Sequence, residues 1–164
     1  MSDFKYLKVR DVKSPERGSA LSAGIDFFIP NDFENTLVMP GDDCLIPSGI
    51  IVKLPHGYML MGADKSGIAT SDYAKLKCGM KLKNGVPESS LIVGAKIIDE
   101  DYPDELHIHI INVGHQDVIL RPGMKIAQFI LVPVSYKCPV EVSSYEELNI
   151  IKTDRTGGFS STNE

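Results

Sequence analysis

Leu106, Ile108 and Ile110 alternate with His107, His109 and Ile111, a period of two that marks a strand with one face turned inward. Similar short apolar runs recur along the chain, broken by Gly, Pro, Asn and Asp. Tyr6 to Val12 reads as a first strand, and Ser22 to Ile29 as a second after the polar P-E-R-G-S loop. Cys44 to Leu54 is rich in Ile and Val and is interrupted by Pro47-Ser48-Gly49; the chain turns at Pro55-His56-Gly57 and resumes at Tyr58 to Met61. Lys125 to Val134 is a long apolar strand behind the Arg121-Pro122-Gly123 turn. Helical periodicity is weak. The best candidates are single turns at Ser71 to Leu76 and at Ser143 to Leu148, the second with a capping box of Ser144 and Glu147. Many short strands with regular turn signals predict an all-β sandwich or barrel such as a jelly roll, with no β-α-β unit and no internal repeat.

The stretch Val93 to Tyr102, V-G-A-K-I-I-D-E-D-Y, stands out. Val, Ile and Tyr favour a strand, punctuated by Gly94 and Pro103. From Asp99 to Glu105, five of seven residues are acidic. So many adjacent carboxylates repel one another, which suits a solvated turn or a place where a cation or a water is handled.

A length of 164 residues fits one domain, and 43% hydrophobic with 24% charged residues is ordinary for a globular chain. Tryptophan is absent, so aliphatic residues must fill most of the core. A formal net charge of -5 argues against binding nucleic acid through its phosphates, though one phosphorylated small molecule can still sit in a locally basic pocket. Cys44, Cys78 and Cys138 lack C-x-x-C spacing, which speaks for free thiols in a reducing compartment. The N-terminus lacks a signal-peptide core, and no apolar run nears the ~20 residues of a membrane span. The expectation is a cytoplasmic protein, or one of the host cytoplasm if viral or phage, with no membrane partner.

Several further spots can carry chemistry. Asp26 follows the small-residue turn Ser22-Ala23-Gly24, where most such carboxylates cap a turn. Asp64-Lys65-Ser66-Gly67 combines backbone N–H groups, an ammonium and a hydroxyl in an anion nest. Lys125-Ile126-Ala127-Gln128 sets a cation and an amide on a strand; the bland alternative is a polar strand edge. Asp154-Arg155-Thr156-Gly157-Gly158-Phe159 offers a guanidinium, a hinge and an aromatic able to cover a phosphate and a base. His107 and His109 share a strand face and could hold zinc, but exposed strand histidines are the preferred reading.

Taken in order, S-A-G-I-D at 22–26, K-S-G at 65–67, G-A-K-I-I-D-E-D-Y at 94–102, K-I-A-Q at 125–128 and D-R-T-G-G-F-S-S-T at 154–162 resemble the five motifs of the homotrimeric dUTP pyrophosphatases (dUTPases). The resemblance covers most of the chain. It implies a distorted jelly roll, hydrolysis of dUTP to dUMP and pyrophosphate, a Mg²⁺ cofactor and a homotrimer whose active sites are shared between subunits. By resemblance, Asp99 is the catalytic carboxylate that activates water against the α-phosphorus. Lys65, Ser66, Gly67, Gln128 and Arg155 bind the phosphates. Gly94, Ala95 and Ile98 belong to the hairpin that reads uracil, Tyr102 packs under the deoxyribose, and Phe159 stacks on the base. Asp26 organises the metal through water. The implied organisation is a β domain over 1–152, with an inserted loop at 73–90 carrying Lys75, Lys77, Lys81 and Lys83, and a mobile C-terminal arm over 153–164. The chain departs from the family pattern at several points. Lys65 and Lys125 stand for Arg, Asp64 for a frequent Pro, and Lys96 for a small residue; Pro103-Asp104 replace Arg-Gly, and the tail motif is one residue short with Ser160 for a Gly. Two alternatives remain at this stage. One is a related pyrimidine deoxynucleotide enzyme of the dCTP deaminase kind, whose glutamate-base motif is not found. The other is a non-catalytic trimeric module binding a nucleotide or protein.

Overall fold

A computed structural model describes residues 4–69 and 90–151. The expected helical turn at Ser71 to Leu76, the inserted stretch up to residue 89, Cys78 and the arm with Arg155 and Phe159 lie outside the described residues. Within them the chain forms strands β1 (Lys5–Lys8), β2 (Glu16–Arg17), β3 (Ile25–Phe28), β4 (Thr36–Val38), β5 (Asp43–Pro47), β6 (Ile50–Lys53), β7 (Tyr58–Ala63), β8 (Leu91–Val93), β9 (Ile97–Ile98), β10 (His107–Asn112), β11 (Val118–Leu120) and β12 (Lys125–Pro133). One helical turn, α1 (Ser66–Ala69), follows β7. No helix among the described residues is long and apolar enough to cross a membrane.

All pairings are antiparallel. The largest sheet has the order β2-β3-β12-β7-β9, a second has β5-β10-β8, and β1-β6 and β4-β11 form two-stranded ribbons. The alternation in β10 falls as the sequence predicts: Ile108 and Ile110 are buried, while His107 is exposed and His109 half-buried. Leu106, Ile46, Ile50, Leu60, Leu120 and Ile126 join them in one core, where the rings of Phe27 and Phe129 meet at 4.7 Å between centroids. Each such apolar side chain contributes about 1.5–3 kcal/mol on full burial, so this aliphatic core stands in for the missing tryptophan.

Two local features differ from expectation. The Val93–Tyr102 stretch is not one strand: β8 ends at Val93, the chain turns through Gly94–Lys96, and β9 enters a different sheet. The helical turn near the C-terminal end of the domain is a 3₁₀ turn at Glu146–Leu148, without a side-chain cap on Tyr145; Glu147 accepts from the backbone N–H of Ser143 (3.2 Å), so Ser144 makes no capping box.

One irregularity in β12 positions the site. Lys125 pairs with Phe28, but Ala127 pairs with Phe27 and Gln128 with Asp26. The extra residue is a bulge. Residues three apart in a regular strand point to opposite faces; one added residue turns Lys125 and Gln128 to the same face. Ile126 and Ala127 are accordingly both buried.

Candidate active site

At one end of the large sheet a carboxylate lies between two ammonium groups. Asp26 is 5% exposed, because all four residues of β3 face packed neighbours. Its Oδ1 accepts from Lys65 Nζ at 3.0 Å and its Oδ2 from Lys125 Nζ at 2.6 Å. Burial pushes the Asp26 carboxyl up, but the hydrogen bonds from Lys125 and Lys65 outweigh it and hold the group below its ordinary value. Glu16 also lies 3.7 Å from Lys125 Nζ and pairs with Lys13 at 2.7 Å, so Lys13, Lys65 and Lys125 face Asp26 and Glu16 with an excess positive charge, and Lys65 and Lys125 remain about one-third exposed. That combination can attract a phosphate.

Gln128 pairs with Asp26 on one side and Ala63 on the other. Its Nε2 donates to the Asp64 carbonyl (2.9 Å), and Gly24 lies against its amide, where a Cβ would stand only 2.0 Å from Oε1. Asp64 then leads into Lys65 and α1. The N–H groups of Ile68 and Ala69 both reach the Lys65 carbonyl at 2.8 Å. The first N–H groups of a helical turn have no acceptor within it, and here those belong to Ser66 and Gly67. The structure thus brings together Asp26, Lys65 and Gln128 of the predicted residues, with Ser66 and Gly67 following directly, and adds Lys125.

The hairpin Gly94–Lys96 joins the two sheets. Gly94 N–H donates to the His109 carbonyl (2.9 Å), and Gly62 N–H to the Lys96 carbonyl (2.6 Å). Ile97 and Ile98 pair with Met61 and Leu60. Gly94 is needed for space: a Cβ there would stand 2.2 Å from His109 Nδ1. His109 Nε2 is in turn held by Asp43 Oδ2 at 2.8 Å, while His107 Nδ1 meets the Glu105 carbonyl at 3.0 Å. The two histidines therefore have separate partners. Among the described residues no group of three or more His, Cys, Asp or Glu side chains could hold a metal ion.

Asp99 follows β9 at the head of the acidic turn, which is closed by Tyr102 N–H on the Asp99 carbonyl (3.2 Å). Asp99 is exposed and lines an open cleft of about 270 Å³ with His56, Glu100, Asp101 and Tyr136. Glu100 anchors the turn: it accepts from Gly57 N–H (2.8 Å) and Tyr136 Oη (2.8 Å) and meets His56 Nδ1 at 3.1 Å. Those hydrogen bonds, Gly57 first, hold the Glu100 carboxyl at about 2, against an ordinary 4.5. Tyr102 is 37% exposed with its hydroxyl on the Glu105 carbonyl (3.3 Å). Within one chain this turn does not meet the lysine-flanked carboxylate. Ile98 pairs with Leu60, three residues along β7 from Ala63, a distance of about 10 Å.

Sequence reasoning gave no role to Glu100, His56 or Tyr136. Glu100 had a signal in the acidic run; the other two lie 44 and 36 residues from it and meet it only through the fold.

Residues 73–163 match the dUTPase family model. The deoxyuridine 5'-triphosphate nucleotidohydrolase of Chlamydia trachomatis is 33% identical over 150 residues, covering 92% of this chain and 90% of the relative. The chain belongs to the dUTPase family. The fowlpox virus member is 31% identical over 164 residues, covering 99% and 98% of the two chains. A glycine-to-serine mutant of the dUTPase of Staphylococcus bacteriophage 80alpha, solved with dUpNHpp, superposes with a TM-score of 0.75 at 18% identity over 98% of each chain. The dUTPase of phage phi11 of S. aureus gives 0.70 at 19% identity, over 88% of this chain and 99% of that one. The all-β, antiparallel architecture described above is that of these dUTPase folds.

Proposed function

We propose that this chain is a dUTP diphosphatase that hydrolyses dUTP to dUMP and pyrophosphate, with Asp99 as the general base. The carrying observation is the joint arrangement around β7: Gln128, which has the lysine-flanked Asp26 on its other side, pairs with the end of β7 at Ala63, and the hairpin leading to Asp99 pairs with its middle. Asp99 takes a proton from water as the oxygen attacks the α-phosphorus; the bond to the bridging oxygen breaks and pyrophosphate leaves. A positioned carboxylate of this kind is worth about 10²–10⁴-fold, and its exposure in an open cleft supports the role.

Lys65, Ser66, Gly67 and Gln128 hold the phosphates, with Lys125 beside them. Gly94, Ala95 and Ile98 read the uracil, largely through backbone groups, and Tyr102 packs under the sugar and excludes a 2′-hydroxyl. Arg155 reaches the γ-phosphate and Phe159 stacks on the base, as the family resemblance implies for the arm at 153–164. The chain acts as a homotrimer. A cleft of about 270 Å³ falls just below the range of ligand sites, about 300–1,000 Å³; a neighbouring copy supplies the missing walls. The reaction belongs to the cytoplasm, that of the host if the chain is viral or phage.

The described protein groups do not fit a resident metal ion. Both oxygens of Asp26 are taken by ammonium groups, its register partner Glu16 is itself held by Lys13 and Lys125, and among the described residues no group of three or more His, Cys, Asp or Glu gathers there. Mg²⁺ prefers phosphate oxygens and water; bound to the triphosphate it would supply charge neutralisation there, and Asp26 would meet it only through water, with Lys65 and Lys125 on the phosphates.

The test is Asp99→Asn. The variant keeps its assembly and its affinity for dUTP but loses turnover by about 10²–10⁴-fold. Turnover equal to that of the parent chain removes Asp99 from the reaction.

A further inference from the structure

Asp64 and Lys96, two of the residues that break the family pattern, face each other. We propose that Asp64 is a positioning residue that ties the base-reading hairpin to the phosphate-binding turn, with Lys96 as its ionic strut rather than a reader of the base. This rests on the site assignment above and extends it.

The local structure makes the tie specific. Among the described residues β8 is an edge strand, in the order β5-β10-β8. An edge strand leaves backbone N–H groups without a neighbouring strand, and a half-buried one needs an acceptor. The Asp64 carboxylate supplies it, accepting from Val93 N–H at 2.7 Å, one residue before the hairpin begins. The other carboxylate oxygen lies 3.7 Å from Lys96 Nζ, on the last hairpin residue. One side chain thus holds both ends of the Gly94–Lys96 turn, where the chain crosses from the small sheet to the large one. Asp64 is itself fixed: its carbonyl accepts from Gln128 Nε2 (2.9 Å), and the next residue, Lys65, is bonded to Asp26. A proline at 64 offers no acceptor side chain, and a small residue at 96 no cation. The two departures act as a pair that replaces one local solution by another.

The two contacts differ in weight. A carboxylate on a backbone N–H is a charge-assisted bond whose loss is worth about 10–100-fold in the population it holds. The Lys96 pair is 45% and 33% exposed, so its loss is worth about 2–4-fold.

Four chains separate the terms: the parent, Asp64→Ala, Asp64→Asn and Lys96→Met. Exchange of the Val93 amide, followed by NMR without nucleotide, reads the tie directly. It quickens about 10-fold or more in Asp64→Ala and little in Asp64→Asn, which keeps an acceptor. In pyrophosphate release, Asp64→Ala raises KM for dUTP by about 10-fold and narrows the preference for dUTP over dCTP, with kcat less affected. Lys96→Met changes KM by only about 2–4-fold and leaves the base preference intact. Unchanged Val93 exchange in Asp64→Ala overturns the tie, and a switch of base preference in Lys96→Met overturns the strut. A parent chain that cleaves no nucleotide fails the parent reading instead, and the exchange measurement still judges Asp64.

Discussion

Gly94→Ala is the most exacting test of the hairpin's seat. Gly94 does not have the positive φ found at Gly41, Gly49, Gly57 and Gly123, so the backbone accepts alanine without strain. The obstacle is the imidazole of His109: the new Cβ would stand 2.2 Å from Nδ1, 2.7 Å from Cε1 and 3.1 Å from Cγ. Reaching an ordinary contact of 3.4 Å requires the ring to retreat by about 1.2 Å. Because Cγ is involved, rotation of the ring tip does not suffice. Such a retreat carries the ring away from the β8 side of β10 toward β5, where Asp43 lies, and disturbs the 2.8 Å contact between His109 Nε2 and Asp43. Overpacking costs about 1–3 kcal/mol, and the partly exposed His–Asp contact adds about 0.5 kcal/mol. The middle of that range is about 2 kcal/mol, which lowers Tm by roughly 4–8 °C for a domain of this size. If the hairpin absorbs the displacement, kcat/KM for dUTP falls by about 10–30-fold. The same clash predicts its own cure. His109→Ala removes the ring, so the double variant Gly94→Ala/His109→Ala regains most of the activity and Tm lost by the single one. A Gly94→Ala chain with parental kcat/KM and Tm refutes the reasoning, as does a double variant no better than the single.

Two further outcomes follow from the acidic turn and the arm. The Glu100 carboxyl sits at about 2 in the folded chain against an ordinary 4.5, so its contribution to stability is complete above pH 4.5 and disappears as the pH falls toward 2. In urea melts, Glu100→Gln is therefore less stable than the parent at pH 7, and the gap narrows below pH 4.5 and is nearly gone at about pH 2; a gap that is constant with pH denies Glu100 its anchoring role. A chain ending at residue 154, before Arg155, loses most of its turnover while Tm stays within about 2 °C; a collapse in Tm makes the arm a structural clasp.

The sequence spoke most clearly where one face of a strand is buried. The alternation from Leu106 to Ile110 and the long run after Lys125 both lie where expected, because period-two patterning reflects burial directly. It was silent on β4, β8 and β11 and read the P-E-R-G-S stretch that holds β2 as a loop; each of these strands has three residues or fewer. Such short strands are decided by pairing partners far along the chain, as Thr36–Val38 is by Val118–Leu120. The bulge between Lys125 and Ala127 was also invisible, since Ile126 and the Ala127 that follows it are both apolar and fit a strand in either register. The five motifs marked Asp26, Lys65 and Gln128 as functional, yet the mutual pairing of Asp26 with both lysines depends on that bulge. The same holds for Asp64 and Lys96. Each looks like an isolated departure in the sequence, and only the crossing of the hairpin between sheets makes them neighbours.

The most direct test of the central claim is pyrophosphate release from the purified full chain with Mg²⁺, with dUTP, dTTP, dCTP and UTP offered in parallel. The expected result is release from dUTP alone, which follows from the proposed roles of the hairpin at 94–98 in reading the base and of Tyr102 in excluding a 2′-hydroxyl. Release from another nucleotide contradicts the assigned specificity, and release from none contradicts the assigned activity.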